Sequence, residues 1–321
     1  MNNTPLVSVA LCTYNGDRYL ASLLKSVVDQ TYKNIEIIIV DDCSTDNTLK
    51  TLHKFAQNDE RIKVYRNEFN LGLLGNFAKA LSFCKGEFIA LCDQDDIWDR
   101  SKIELQVHAI GDNLVNYHDS ELIGDKGERL GKKMSDLFNF YSGDQPEVFL
   151  LLNCISGHTM LIKRELLQHA LPLQGHFHDW WIAYVAANHG SINYMSRSLV
   201  KYRQHDKNCT DVLAKKVSLT QETELFKRQY KWLEACANYK ENKNPAFVKT
   251  LYRLYSQRIN SYFSLSLEKF VAKNADVLFY LSKKERVHDL RRIHKFKWGL
   301  KARNFWYSFI KTDKRKIVEL Y

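Results

Sequence analysis

The 321-residue chain carries 47 Lys or Arg against 37 Asp or Glu, a formal net charge of +10, with 45% hydrophobic and 12% aromatic residues. That is ample for one large core, or for a domain with an appendage, and no run reaches the roughly 18 apolar residues that a membrane span needs. Thirteen Lys or Arg against three acidic residues lie between Lys283 and Lys316, so the surplus belongs to the tail, which argues against a basic fold built throughout for nucleic acid.

The opening Met-Asn-Asn-Thr-Pro has no basic region followed by an apolar stretch, so a secretory leader is not expected. Seven cysteines (Cys12, Cys43, Cys84, Cys92, Cys154, Cys209, Cys236) are an odd count without Cys-x-x-Cys spacing, which suits reduced thiols packed as small hydrophobes. A cytosolic compartment follows, and the sequon at Asn208-Cys209-Thr210 is taken as chance.

Leu6 to Cys12 reads as a strand, broken by the turn residues Thr13-Tyr14-Asn15-Gly16-Asp17. Leu20, Leu23, Leu24, Val27 and Val28 then repeat at helical spacing up to about Gln30. Ile35–Val40 predicts a second strand, stopped by Asp41-Asp42-Cys43-Ser44-Thr45-Asp46, with a helix from near Thr48. A short strand at Ile62–Tyr65, a loop at Asn70-Leu71-Gly72, a helix marked by Phe77, Ala80, Leu81 and Cys84, and a buried strand at Phe88–Cys92 follow. Strand and helix alternating at this pace predict a doubly wound, mainly parallel α/β sheet.

Asp93-Gln94-Asp95-Asp96 therefore sits where the fourth strand ends, at the carboxyl edge where open α/β sheets bind ligands. Two carboxylates 4 Å apart repel by about 4 kcal/mol at an effective dielectric of 20. A divalent cation removes that cost, and hard oxygen ligands suit Mg²⁺ or Mn²⁺. A solvated acidic turn, with Asp96 capping a helix, accounts for the same short motif.

Past Trp98 the rhythm changes. A helix over Lys102–Ala109, a strand over Val115–His118, a polar loop over 124–146, a strand over Thr159–Ile162, a helix over Trp180–Asn188, and two strands at Ile192–Met195 and Leu199–Arg203 predict a mixed half. From about Lys215 the pattern is helical, with Phe226, Tyr230, Leu233 and Ala237 on one face and Leu251, Leu254, Tyr255, Ile259 and Tyr262 on another, parted by Pro245. The expected division is residues 1–214 and a helical, basic extension over 215–321.

Taken in order, these pieces resemble the family 2 inverting glycosyltransferases of the GT-A fold. Val7–Gly16 is similar to the family's first strand and loop, Ile39–Asp46 to its second, and Asn70-Leu71-Gly72 with Asn76 to its third. Asp93-Gln94-Asp95-Asp96-Ile97-Trp98 is similar to its metal-binding element, and His178-Asp179-Trp180-Trp181 and Tyr202-Arg203-Gln204-His205 to its acceptor-side and closing motifs. The resemblance covers about residues 5–210. Cys43 stands where a Gly is usual and His158 where a small residue is usual.

The resemblance implies a GT-A, Rossmann-like mixed sheet with a helical C-terminal extension. It implies donor contacts from Thr13, Tyr14, Asn15, Asp42, Asn70, Gly72, Asn76, Asp93 and Gln94, with Asp42 able to accept the imide N–H of uracil or thymine. Asp95 is the first metal ligand, Asp93 reaches the ribose or the ion, and His205 can add a neutral imidazole. Asp179 is the expected general base, because the adjacent rings of Trp180 and Trp181 raise a carboxyl pKa towards the useful range. Trp180, Trp181 and His158 are the expected acceptor wall. Turn chemistry and helix capping explain several of these residues equally well, and no second carboxylate is indicated as a nucleophile.

The reading is a single-sugar transferase that uses Mn²⁺ or Mg²⁺. Its donor is dTDP-rhamnose or a UDP-hexose, from the rhamnosyltransferase-like form of the Asp93–Trp98 element. Its acceptor is a glycan on undecaprenyl diphosphate, in O-antigen or capsule assembly at the inner face of the plasma membrane. Trp298, Phe305 and Phe309 among Lys295, Lys297, Lys301 and Arg303 predict a helix for an anionic leaflet. The alternatives are a nucleotidyltransferase, which lacks its Gly-rich basic loop after strand one, and a basic adaptor for RNA or membrane.

Overall fold

The computed structural model describes residues 4–206, 208, 219–283, 292–299 and 301–302. Its first half alternates as expected: β1 (Val7–Thr13), α1 (Asp17–Val28), β2 (Ile35–Asp41), α2 (Thr48–Ala56), β3 (Ile62–Arg66), α3 (Gly72–Phe83) and β4 (Phe88–Cys92). All seven residues of β1 are buried because both faces of the strand are covered. Val7, Val9 and Leu11 meet Leu20, Leu23, Leu24 and Val27 of α1, while Ala10 and Cys12 face Phe77 and Ala80 of α3. Each fully buried Leu or Val of α1 contributes about 1.5–3 kcal/mol, so a charge at Leu24 would detach that helix from the sheet.

The second half contains β5 (Ile97–Trp98), α4 (Lys102–Ile110), β6 (Val115–Ile123), β7 (Arg129–Lys133), β8 (Leu161–Lys163), α5 (Leu167–Ala170), α6 (His178–His189) and β9 (Ile192–Arg203). The strands run in the order β3-β2-β1-β4-β8-β6-β9-β5, with β7 on β6. β1 to β4 are mutually parallel; β8 turns antiparallel to β4 and β6, and β6 and β9 are parallel. The chain steps outward from β1 to β3 and then returns to β4 on the other side of β1. A crevice therefore opens beyond the carboxyl ends of β1 and β4, at the switch point.

Three expectations change. The two strands over 192–203 are one, interrupted by a bulge where Met195 pairs with His118 but Ser198 already pairs with Asp119. The loop over 124–146 contains β7, whose five residues are all exposed and so carry no apolar alternation. The two-residue strand β5 pairs with β9 and was too short to register in the pattern.

The helices α7 (Leu219–Asn238), α8 (Pro245–Ile259), α9 (Leu265–Lys273) and α10 (Ala275–Leu278) complete the described chain. Pro245 opens α8, and Asn244 caps it by accepting from Phe247 N. Phe226, Trp232, Leu233 and Cys236 of α7 share one core with Trp181 and Tyr184 of α6. The expected boundary at 214/215 lies outside the described residues, as do Cys209, Arg303, Phe305 and Phe309. Trp298 is described, and it forms an antiparallel bridge with Phe263 rather than continuing a helix. The six described cysteines are free thiols.

Candidate active site

The crevice is a cleft of about 740 Å³ bounded by the loops after β1, β2 and β4, the start of α3, the segment 152–158 and the first turn of α6. On its first side the polar residues brace one another. Thr13 Oγ1 donates to Asp41 Oδ1 (3.0 Å), and Asn15 Oδ1 accepts from Thr45 N (2.8 Å). Asp42 holds the start of α3: its Oδ1 accepts from Leu71 N (2.7 Å) and Asn67 Nδ2 (2.7 Å), its Oδ2 from Gly72 N (2.9 Å). Asn70 Nδ2 donates to the Asp42 carbonyl, and Asn76 Nδ2 to that of Val40 (2.9 Å). Gly72 needs its glycine, with φ at +73°. Cys43 also lies in the left-handed region, φ +64°, which explains why glycine is usual there and costs roughly 1–2 kcal/mol.

Across the cleft, Gln94 closes a reciprocal pair with Tyr14, accepting from its N–H (2.9 Å) and donating to its carbonyl (3.1 Å). The other acidic residues of this loop divide into two groups. Asp95 Oδ2 lies 2.9 Å from His205 Nε2, and the His205 ring stacks on Tyr19. Asp93 and Asp96 instead face His158, whose Nδ1 is 3.4 Å from Asp93 Oδ2 and 3.3 Å from Asp96 Oδ2.

Electrostatically the loop is strained. Burial, followed by the charges of Asp95 and Asp93, pushes the fully buried Asp96 carboxyl well above its ordinary range. Burial also opposes charge on Asp93, yet His158 and then His178 outweigh it and hold this carboxyl below the usual range. Asp96 Oδ1 accepts from Arg203 N (3.0 Å), whereas its Oδ2 has only the 3.3 Å approach of His158 Nδ1. An acceptor of this kind beside two further carboxylates and two imidazoles fits a hard divalent cation.

Asp93, Asp96 and His158 place one ligand atom each within 4.8 Å of the others. A second group, His169, His189 and Glu241, meets the same distance criterion, but its imidazoles are stacked at 3.7 Å and 21°. Lone pairs lying in two near-parallel planes cannot converge on one ion, so the carboxylate loop is the better metal site.

Asp179 stands in the first turn of α6 and opens into the same cleft. Burial, reinforced by the charge of Asp93, raises its pKa from 3.8 to about 7 against the pull of the Trp180 N–H, which its Oδ1 accepts (2.8 Å). It thus helps cap the helix while keeping the proton affinity of a base at neutral pH. Beside it, the His178 ring stacks on Phe77 at 3.7 Å and leaves both nitrogens unpartnered. Burial pulls that imidazole down to about 4, so it is neutral.

A family model, Glycosyl transferase family 2, matches residues 8–171, just over half of the chain. The chain belongs to that family. Among curated relatives, this glycosyltransferase is 31% identical over 229 residues to an uncharacterized glycosyltransferase of Haemophilus influenzae, covering 66% of this chain and 69% of that one. It is 34% identical over 165 residues to the UDP-Glc:alpha-D-GlcNAc-diphosphoundecaprenol beta-1,3-glucosyltransferase WfgD of Escherichia coli, covering 50% and 62%. Of solved structures, S. aureus TarS in complex with UDP-GlcNAc superposes with a TM-score of 0.56 at 19% identity, over 88% of this chain and 83% of that one. The mannosyltransferase PcManGT from Pyrobaculum calidifontis, in complex with GDP-Man and Mn²⁺, gives 0.53 at 17% identity, over 98% and 82%. The fold is the expected GT-A sheet with C-terminal helices.

In this glycosyltransferase every residue expected at the site lines the cleft except Trp181. Trp181 is 1% exposed, gives its indole N–H to Ala170 O (2.7 Å) and packs edge-on against Trp232. Neighbouring residues point about 100° apart around a helix, so only Trp180 can serve as cleft wall. His158 is not free for an acceptor either: it is 1% exposed, with Nε2 2.9 Å from Ser120 Oγ and Nδ1 turned to the carboxylates. Arg203, assigned no role of its own from residue pattern, ties the site together. Its Nε donates to Asp95 O (2.8 Å), its Nη1 to Asp125 O (3.0 Å), and its guanidinium lies over Tyr19. Its place in Tyr202-Arg203-Gln204-His205 was the one available signal.

Proposed function

We propose that this enzyme moves one sugar from a UDP-hexose, or from dTDP-rhamnose, to a glycan carried on undecaprenyl diphosphate during bacterial surface polysaccharide assembly. The observation that carries the reading is one cleft holding Asp95 and its imidazole partner together with a carboxyl group of pKa about 7. The donor and carrier follow the name of the E. coli relative.

Asp179 takes the proton of an acceptor hydroxyl as that oxygen bonds to the anomeric carbon, and the bond from that carbon to the diphosphate oxygen breaks. A single displacement of this kind inverts the anomeric centre. Asp95 and His205, with Asp93, Asp96 and His158 beside them, would hold Mn²⁺ or Mg²⁺, which supplies charge neutralisation for the departing diphosphate. His178, neutral and without a protein partner, is placed to hydrogen-bond a sugar hydroxyl. Asp42 has one lone pair left on Oδ2 for an imide N–H.

The same reading puts the enzyme at the inner membrane face as a peripheral protein. Tyr262, Phe263 and Leu265 are each more than half exposed, and Phe263 packs on Trp298 near Lys295, Lys297 and Lys301. Such an apolar patch in basic surroundings suits an anionic leaflet. No helix among the described residues is long and apolar enough to cross a membrane.

The test is the melting temperature in Mn²⁺ with UDP-, dTDP- and GDP-sugars, since a bound ligand stabilises the native state. A rise with a uridine or thymidine donor, followed by transfer to an undecaprenyl-diphosphate glycan, is expected. Stabilisation by GDP-sugars alone would overturn the donor assignment.

A further inference from the structure

The catalytic cleft does not end at Asp179. Met134 and Phe138 form part of its wall, and Phe138 also lines a second, more open hollow of about 410 Å³ with Phe140, Tyr194, Tyr280 and Lys283. The two spaces therefore adjoin at that one side chain.

The rings of this hollow are fixed in place. Phe140 stands edge-on to Tyr194 at 4.6 Å and 74°, and both lean on the buried Tyr117. Tyr280 is 46% exposed, yet its ring is set edge-on to Tyr141 at 5.5 Å. Asn139 joins the two strands of chain that carry the rings: its N donates to Leu281 O (3.0 Å), its Nδ2 to Tyr280 O (3.0 Å) and to Ser282 O (2.9 Å). Phe138 and Ser282 add an antiparallel bridge. The wall is therefore built jointly by the segment after β7, by Tyr194 of β9 and by the segment after α10, so the chain that follows the C-terminal helices completes the hollow.

An ordered aromatic surface of this kind, left open to water beside a transfer site, matches one ligand chemistry. A pyranose has an apolar face of C–H groups with slight positive charge, which packs on the negative face of an aromatic ring. Its hydroxyls project at the rim, where the Ser135 hydroxyl and the Lys283 ammonium can bond them. Adjacency to the cleft gives the ring its identity, because an acceptor whose terminal hydroxyl reaches Asp179 extends away from it past Phe138. We infer that Phe138, Phe140, Tyr194 and Tyr280 form a subsite for an internal sugar of the acceptor glycan, one or more units behind the reacting residue. This rests on the transferase reading for its position, and on the hollow itself for its ligand.

Saturation-transfer NMR on the full chain tests it, with chitotriose, cellotriose and maltotriose as probes beside UDP. The intact protein is expected to saturate at least one trisaccharide more strongly than its monosaccharide. Tyr280→Ala should cut that signal about tenfold and leave UDP saturation unchanged, while Tyr280→Phe should keep both. No trisaccharide signal from the intact protein, or an undiminished one in Tyr280→Ala, would overturn the subsite. Loss of UDP saturation in the intact protein would count against the donor reading and leave the trisaccharide result to decide the subsite.

Discussion

On the β1–β3 side of the cleft, Asp41, Asp42, Asn15 and Asn76 direct their polar atoms at the protein, clasping loop to loop and fixing the start of α3. On the β4–β9 side, both nitrogens of His178 are buried without a hydrogen-bond partner, Asp96 Oδ2 has only His158 Nδ1 at 3.3 Å, and the carboxyls of Asp96 and Asp179 are pushed upward. A buried polar atom without a partner costs about 1–3 kcal/mol, and the His178 nitrogens carry that cost in a residue that lines the cleft, where a bound ligand can supply the partner. The contrast separates a first side that is mostly scaffold from a second side where the chemistry is concentrated.

The strongest way to break that contrast is Asp179→Asn. Transfer should fall by roughly 10² to 10⁴-fold, the usual contribution of a general base, while UDP still raises the melting temperature. With Asp179 as the base, the rate of the unaltered enzyme should climb as pH rises through about 7, because the deprotonated carboxylate would then be the active form. Stability should move the other way: a carboxyl whose pKa is raised from 3.8 to about 7 by folding favours the native state at low pH and loses that contribution as pH rises through 7. Asp179→Asn should therefore melt higher than the parent above pH 7. A variant with near-normal turnover would remove Asp179 from the mechanism.

A smaller loss, on the order of a hundredfold, is expected from Asp95→Ala or from chelation, because under the proposed scheme several kcal/mol of charge stabilisation would rest on the ion. Added Mn²⁺ should restore the chelated enzyme and leave Asp95→Ala impaired. Full turnover in EDTA would take the metal out of the scheme and leave the repulsion among Asp93, Asp95 and Asp96 unexplained.

Much of this division was legible in the chain. Buried parallel strands announce themselves as short apolar runs, and the polar turns after them fall at the sheet edge by necessity, so the cleft loops could be placed from local pattern alone. What stayed hidden depends on contacts distant in sequence. Arg203 organises a loop more than a hundred residues away through backbone carbonyls, which no spacing rule reveals. Trp180 and Trp181 differ only in the rotational setting of α6, which is fixed by Ala170 and Trp232. β7 carries no apolar alternation, and the bulge in β9 coincides with the polar Ser196-Arg197-Ser198, which reads as a break.

Asp42→Asn probes the boundary between the two sides. The carboxylate receives two backbone N–H groups, from Leu71 and Gly72, on different oxygens. An asparagine offers one carbonyl oxygen, so its amide must face the other N–H, donor against donor; the Gly72 N–H keeps Asn70 Oδ1 as an acceptor (3.0 Å), so the cost falls at the low end of about 1–3 kcal/mol. If Asp42 is scaffold, the melting temperature should fall by a few degrees and UDP should bind the folded variant as before. If the remaining lone pair on Oδ2 reads the base, UDP affinity should fall as well, because the amide repels the imide N–H. Loss of affinity with an unchanged melting temperature would move Asp42 to the chemical side and narrow the scaffold to Asp41, Asn15 and Asn76.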